Sequence, residues 1–298
     1  MAANAPPQGS TYLGPITDTR RWVPFKHRPD DIFVCTPPKC GTTWTQAICA
    51  MFVFGGPDHG HQPGVVSPWV DAVFSELDDC MAQVEAQTHR RYLKTHTPLD
   101  GIPYHEECTY LVIFRDPRDT YFSGSNHRDN MNDQELALAV FPSGEDAFEE
   151  WLHKARPDGV WDLTCLDSLC HFMNTYWPYR DLPNVHLFHY SDMKRDLRSA
   201  VARMAAATDT ELSDAQLDAY AAAADFGAMK AKADQFAPES GTGMWKAETN
   251  FFANGSSGQW ERGLTDAQKA AFEARFAALI PDAEQARWML NGNGEPSG

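Results

Sequence analysis

Lys39, Cys40, Gly41, Thr42, Thr43 and Trp44 follow the apolar run 31–36 and the pair Pro37-Pro38, and together they are suited to holding an oxyanion. A glycine that turns the chain tightly into a helix leaves orphan N–H groups and the positive end of the helix dipole facing one point. Lys39 adds a formal charge there, and Thr42 and Thr43 add hydroxyl donors. The pattern is not the triphosphate loop G-x-x-x-x-G-K-[ST], in which the lysine follows the second glycine. Here Lys39 precedes Gly41 by two residues. Taken alone, the octet also fits an ordinary strand–turn–helix with a surface lysine. Lys94 and His96 form a second group, two residues apart on an extended run, so both side chains leave the same face. A cation beside a histidine favours the neutral imidazole, the form a general base needs. A partly buried histidine at a strand end is the alternative.

These residues need a scaffold that brings their segments to one edge. Residues 31–36 (DIFVCT) read as a short buried strand, 91–95 as a second, 109–114 (TYLVIF) as a third and 185–190 (VHLFHY) as a fourth. The spacing predicts helices over 42–54, ended by Gly55-Gly56-Pro57, and over 146–156, 163–176, 197–207, 214–224 and 266–279. Asp116-Pro117 reads as an N-cap followed by proline at the first helical position. Residues 55–66 read as loop, and 126–144 as polar and irregular, with 131–140 a candidate lid. The stretch 235–263 is aromatic and Gly-rich with weak periodicity. Strands alternating with helices predict an α/β fold, a single domain with a central parallel sheet flanked by helices. The boundaries read as a mobile N-terminal tail over 1–20, one domain over 21–290 and a C-terminal tail over 291–298.

The octet resembles the 5′-phosphosulfate loop of the cytosolic sulfotransferases, Tyr-Pro-Lys-Ser-Gly-Thr-Thr-Trp. Pro37 stands for the aromatic residue and Cys40 for the serine. Residues 92–98 (YLKTHTP) resemble the family's K-T-H-x-P segment, and 112–123 (VIFRDPRDTYFS) its 3′-phosphate segment. The resemblance implies a P-loop-like sulfotransferase fold and places Arg115 and Ser123 on the 3′-phosphate. It also implies contact of Tyr190 with the nucleotide, and stacking of adenine between Phe226 and Trp44. Arg115 closes a predicted strand, where open α/β sheets bind ligands, and its guanidinium can grip phosphate through two N–H groups. A salt bridge to Asp119 is the structural alternative, and Arg118 reads as a solvated helix residue. The family's Arg-Lys-Gly-x-x-Gly-x-Trp segment survives only in part: Gly255, Gly258 and Trp260 stand, but Ala253 and Asn254 replace the two cations. Asn254 and Gly255 remain candidates for the 3′-phosphate through backbone N–H groups.

The resemblance, which runs over about 31–279 and suggests a bacterial-type member, implies transfer of a sulfuryl group from 3′-phosphoadenylyl sulfate (PAPS). The acceptor is expected to be a hydroxyl of a small apolar or aromatic molecule, and the product adenosine 3′,5′-bisphosphate (PAP). His96 is the expected base, with Lys39 and Lys94 as the catalytic cations. The wall of an acceptor pocket is expected from Phe74, Met131, Phe141, Phe236, Met244, Trp245 and Phe251. A nucleotide kinase and a catalytically silent PAP binder are the rival classes. The first requires a Walker lysine, which is missing, and the second predicts loss of the base or the lysine, and both are present. With 298 residues and a formal charge of −16, the chain is a poor partner for nucleic acid or anionic membrane. No apolar run is long enough to span a bilayer. Seven cysteines, an odd number without a C-x-x-C pair, argue against a disulfide framework and against zinc. Residues 1–10 lack the pattern of a secretion signal, so a cytoplasmic location and a metal-free site are expected, and the oligomeric state is open.

Overall fold

The computed structural model describes residues 5–238, 240–252 and 255–293. Four short strands make one parallel sheet in the order β2-β1-β3-β4: β1 (Ile32–Cys35), β2 (Tyr92–Thr95), β3 (Thr109–Phe114) and β4 (Val185–His189). Alternate residues leave opposite faces of a strand, and here both faces are buried. Phe33, Leu93, Tyr110 and Val112 join one core, and Ile32, Val34, Leu111 and Ile113 join the other. A sheet covered on both sides needs apolar residues at every position, which is why these strands read as continuous hydrophobic runs rather than alternating ones. Phe33 pairs with Tyr110 across the β1–β3 register, and their rings stack 4.9 Å apart. At the strand starts, Arg91 donates to both carboxylate oxygens of Asp31 at 2.7 and 2.5 Å, fully buried, and also to Lys26 O.

Helix α1 (Thr42–Phe54) leaves β1 through Gly41 at φ 114°, and stops at Gly55, which is left-handed and donates its N–H to Met51 O. Helix α2 (Pro117–Asn130) leaves β3, with the Asp116 side chain accepting from Arg118 N and Pro117 in the first turn. Because β2 and β3 flank β1 on opposite sides, the sheet reverses direction at β1. A crevice opens there beyond the carboxyl ends of the strands.

Three expectations are corrected here. Residues 131–140 are not irregular: α2 continues to Asn130, and α3 (Gln134–Val140) follows, capped by Asp133, whose side chain accepts from Leu136 N. Ala137 and Val140 bury one face of α3, and Met131 pairs antiparallel with Trp245, so tertiary contacts define a segment whose composition is too polar to announce itself. The tail expected over 1–20 is packed from Ser10 onward. Tyr12 is buried and hydrogen-bonds Asp100 and His171, and Asp162 accepts from Ile16 N, Thr17 N and Thr17 Oγ1. Helices Leu77–Ala86 and Ala283–Asn291 were not anticipated. Among the described residues, no helix is long and apolar enough to cross a membrane.

Candidate active site

Two cavities of about 150 and 160 Å³ lie at the crevice and share a wall formed by Lys39, Thr42, Thr43, His127 and Phe251. The β1–α1 turn sets this wall. Gly41 adopts a φ that only glycine takes without strain. Lys39 itself sits at φ 70°, a left-handed conformation that costs a non-glycine residue about 1 kcal/mol or more. Strain of this kind persists where surrounding structure imposes it. Here it brings the Lys39 ammonium to the junction of the cavities, 2.7 Å from His127 Nδ1 and 4.7 Å from the centre of the Phe251 ring. Burial first, then the charges of Arg115 and Lys94, push the lysine down to about 7.

The first cavity carries the predicted donor residues. Gly41, Trp44, Arg115, Ser123, Tyr190 and Phe226 line it, together with Gly255. Tyr190 opens helix α4 (Tyr190–Arg195) just past β4, and its ring supports the Arg115 guanidinium 4.4 Å away. Arg115 donates Nη2 to Ser256 O at 2.8 Å and approaches Asp119 at 3.8 Å, so the expected structural contact does form. Asp119 also accepts from Gly258 N and Gln259 N and thereby fixes the 255–259 turn against α2. Arg115 Nε stays buried with no partner among the described residues. A buried unpaired N–H of a cation is costly and marks a place for an anion. Gly255 is required beside it, because a Cβ there would meet the Phe226 ring at 2.7 Å. Trp44 is held by its Nε1 donating to Ala224 O at 2.7 Å.

The second cavity carries Lys94 and His96 with an aromatic wall. His96 follows β2 directly, and its Nδ1 lies 2.6 Å from Thr36 O. A carbonyl only accepts, so Nδ1 carries the hydrogen. Burial, and then the Lys94 charge, lower the ring well below its ordinary value and keep it neutral. Nε2 is therefore the bare nitrogen, available to take a proton. Asp71 secures the segment: it accepts from Thr95 Oγ1, Thr97 Oγ1 and Trp22 Nε1 at 2.6–3.1 Å, on both sides of His96. Lys94 lies 3.7 Å over the Trp69 ring, which contacts the imidazole of His96 edge-on. Phe74, Met131, Phe141, Met244 and Trp245 line this cavity as expected.

Some expectations fail. Cys40 does not line either cavity: its thiol is buried against Thr120 Oγ1 at 3.6 Å and pushed up to about 11 by burial, and its N–H already serves Pro37 O. Phe236 packs instead with Ala47, Met229 and Phe252. Arg118 is not solvated; it clasps Asp116 and stacks 3.5 Å over Trp260. Asn254 lies outside the described residues.

Two polar side chains that line the cavities escaped the sequence reading. His127 stands four residues after Ser123 on α2 and faces both cavities, neutral through burial and the nearby Lys39 and Lys94. Lys194, four residues after Tyr190 on α4, lines the first cavity and donates to Gly255 O at 2.6 Å. Both lie one helical turn from residues already singled out, a signal that was present but unused.

Comparison with known proteins places this arrangement. The family model described as the sulfotransferase domain matches residues 29–286. A glycolipid sulfotransferase of Mycobacterium bovis is 32% identical, with 91% of each chain covered. An amine sulfotransferase of the rabbit Oryctolagus cuniculus is 27% identical over 65% of this chain and 61% of its own. Among solved structures, a mouse sulfotransferase complexed with PAP has a TM-score of 0.70 at 21% identity, covering 91% of this chain and 92% of its own. A retinol dehydratase in complex with androsterone and PAP has a TM-score of 0.73 at 19% identity, covering 93% and 90%. The chain belongs to the sulfotransferase family.

Proposed function

We propose that this sulfotransferase moves a sulfuryl group from PAPS to a hydroxyl of a small acceptor with an apolar or aromatic body, and releases PAP. The observation that carries the reading is the shared wall. Lys39 stands where the two cavities meet, with Arg115 and Phe226 on one side and His96 on the other. The residues fit the donor. The unpaired Nε of Arg115, with Lys194 and Ser123 beside it, suits the 3′-phosphate; the α1 N-terminus and Lys39 suit the 5′-phosphosulfate; and Trp44 and Phe226 offer flat rings to the base. The donor supplies an activated sulfuryl group.

The neutral His96 takes the acceptor's proton on Nε2 as the acceptor oxygen bonds to sulfur and the bond from sulfur to the phosphate oxygen breaks. Lys39 balances the charge that grows on that leaving oxygen, and Lys94 adds positive field around the sulfuryl oxygens. Positioning and fixed charge carry such transfers, so no metal is invoked. The same His96 and Lys39 argue against a silent PAP binder, and Lys39 ahead of Gly41 argues against a kinase.

The acceptor cavity is walled by Trp69, Phe141, Trp245 and Phe251, and Phe74 lines it while 54% exposed. The wall therefore continues to solvent, and an acceptor can place its hydroxyl at His96 and extend its apolar part outward. The similarity to a mycobacterial glycolipid sulfotransferase favours a lipid-bearing alcohol within this class. We assign the chain to a reducing cytoplasm, consistent with seven buried free cysteines. The deciding experiment incubates the protein with sulfur-labelled PAPS and a panel of phenols, long-chain alcohols, glycolipids and amines. Label on a hydroxyl acceptor supports the reading. Transfer only to amines, or phosphorylation from magnesium-ATP, refutes it.

A further inference from the structure

Both cavities lie at the carboxyl ends of the strands. At the opposite edge of the sheet, in the segments that lead into β1 and β3, His27, His105 and Glu107 converge. The two imidazole rings lie 3.5 Å apart and 14° from parallel, and His27 Nε2 is 2.8 Å from Glu107 Oε1. One ligand atom from each of the three residues lies within 4.8 Å of the others. Ligand atoms around a tetrahedral ion with bonds of about 2.0–2.1 Å are about 3.3 Å apart. The His27–Glu107 edge is at present a 2.8 Å hydrogen bond, so an ion would take the place of the shared hydrogen and spread the pair by about 0.5 Å, with the stacked rings turning so that their lone pairs meet at one point.

The backbone that carries these ligands is fixed. His105 N donates to Tyr110 Oη at 2.9 Å, and His105 O accepts from Asn184 Nδ2 and Cys108 N. The neighbours of His27 are held on both sides: Lys26 O accepts from Arg91, and Arg28 N donates to Asp31 Oδ2. Glu107 is followed by Cys108, whose thiol reaches Arg28 O at 3.4 Å and whose carbonyl accepts from Asn184. Residues about 80 positions apart in the chain are thus presented to one another on anchored main chain rather than on free loops.

We propose that His27, His105 and Glu107 form a binding site for a zinc-class divalent cation, with water completing a four-coordinate shell. Two imidazoles and one carboxylate suit zinc and its first-row neighbours. Magnesium and calcium prefer all-oxygen shells. The negative net charge of the chain favours cation capture. The ion joins the segment ahead of β1 to the segment ahead of β3, so its binding stabilises the fold by mass action and leaves the catalytic residues untouched. Cysteine spacing could not reveal this site, because no cysteine takes part. The proposal does not depend on the identity of the donor or the acceptor.

The test uses the full chain stripped with chelator and titrated calorimetrically with zinc sulfate, with thermal unfolding followed in parallel. The expected result is one zinc per chain, a raised melting temperature, and no response to magnesium. Loss of an outer-shell partner costs roughly 10–100-fold in metal affinity, so His27→Ala, His105→Ala and Glu107→Gln should each lose at least that much. A His59→Ala/His61→Ala variant, which removes the other histidine pair, should bind as the parent does. Absent zinc binding, binding that survives both His27→Ala and His105→Ala, or binding lost with the His59/His61 pair overturns the proposal.

Discussion

Lys39 links donor binding to pH. In the free protein, burial and the charges of Arg115 and Lys94 hold its ammonium at about 7, with the neutral His127 and His96 as further neighbours. A phosphate arriving at the α1 N-terminus favours the charged form, so binding draws a proton in. The free-state pKa is the low one and the bound-state pKa the high one. Affinity is therefore full below pH 7 and falls as pH rises through it, by up to tenfold, or about 1.4 kcal/mol, per unit. The protonated fraction drops from about one half at pH 7 to about one hundredth at pH 9, which predicts roughly fiftyfold weaker PAP binding across that window, with about 0.9 proton taken up at pH 8. The phosphates of PAP are already mostly dianionic there, since the second ionisation of a phosphate monoester has its midpoint near pH 6. Calorimetry in buffers of different ionisation enthalpy measures the uptake directly. Lys39→Arg, whose guanidinium stays charged, should flatten the slope whatever it does to absolute affinity. A PAP affinity that is constant between pH 7 and 9, or an equal slope in Lys39→Arg, would refute the coupling.

Five other substitutions probe the rest of the site. His96→Ala should leave PAP binding nearly intact and cut single-turnover sulfuryl transfer by roughly 10²–10⁴-fold; an unchanged single-turnover rate removes His96 as the base. Arg115→Ala should weaken PAP by roughly ten- to a hundredfold, the equivalent of one charged hydrogen bond, and nearly erase the preference for PAP over adenosine 5′-phosphate, with Lys194→Ala losing less; titration of both nucleotides reads this, and an unchanged preference in Arg115→Ala refutes the assignment. His127→Phe preserves the ring contacts with Phe141, Trp245 and Phe251 but removes the acceptor that holds Lys39. It should lower kcat about tenfold without moving the urea midpoint, whereas an unaltered kcat would mean that Lys39 is placed without it. Asp71→Ala strands the donors of Thr95, Thr97 and Trp22, each costing about 1–3 kcal/mol when left unpaired, and chemical denaturation should show a loss of several kcal/mol.

The parts of the fold legible in the sequence are those whose burial is complete and local. Strand β3 and helices α1, Leu197–Ala207 and Asp266–Leu279 lie on the predicted residues, because runs buried on both faces, glycine stops and caps are written in consecutive positions. Helix α3 was not legible: it is short, it begins in polar residues, and its burial comes from partners such as Trp245 that lie a hundred positions away. Packing of residues 10–20 depends likewise on Asp100 and Asp162. At the site, Lys39, His96 and Arg115 were visible because their segments resemble known ones. His127 and Lys194 were not, since their roles arise where α2 and α4 meet the crevice. Cys40 misled because a loop position says which turn a residue occupies, not which way its side chain faces.

The loss of two cations at Ala253 and Asn254 is best understood through the cations that remain. In a chain of net charge −16, Lys39, Lys94, Arg115 and Lys194 are gathered around two joined cavities, and burial first, then repulsion from Arg115, lowers both Lys39 and Lys194. Carboxylates do not fully quench this cluster. Asp119 stands 3.8 Å from Arg115 but turns its oxygens to the N–H groups of Gly258 and Gln259. Arg115 and Lys194 donate instead to the carbonyls of Ser256 and Gly255, weaker partners than a phosphate oxygen. The free site therefore stores unfavourable charge and, at Lys39, backbone strain. A ligand that brings phosphate to both ends relieves the charge at once, whereas a ligand with a single phosphate relieves only part of it. On this argument, selectivity for a 3′-phosphorylated nucleotide needs no arginine at position 253, and Lys194→Ala is expected to weaken it in part, because Lys194 lines the same cavity as Arg115.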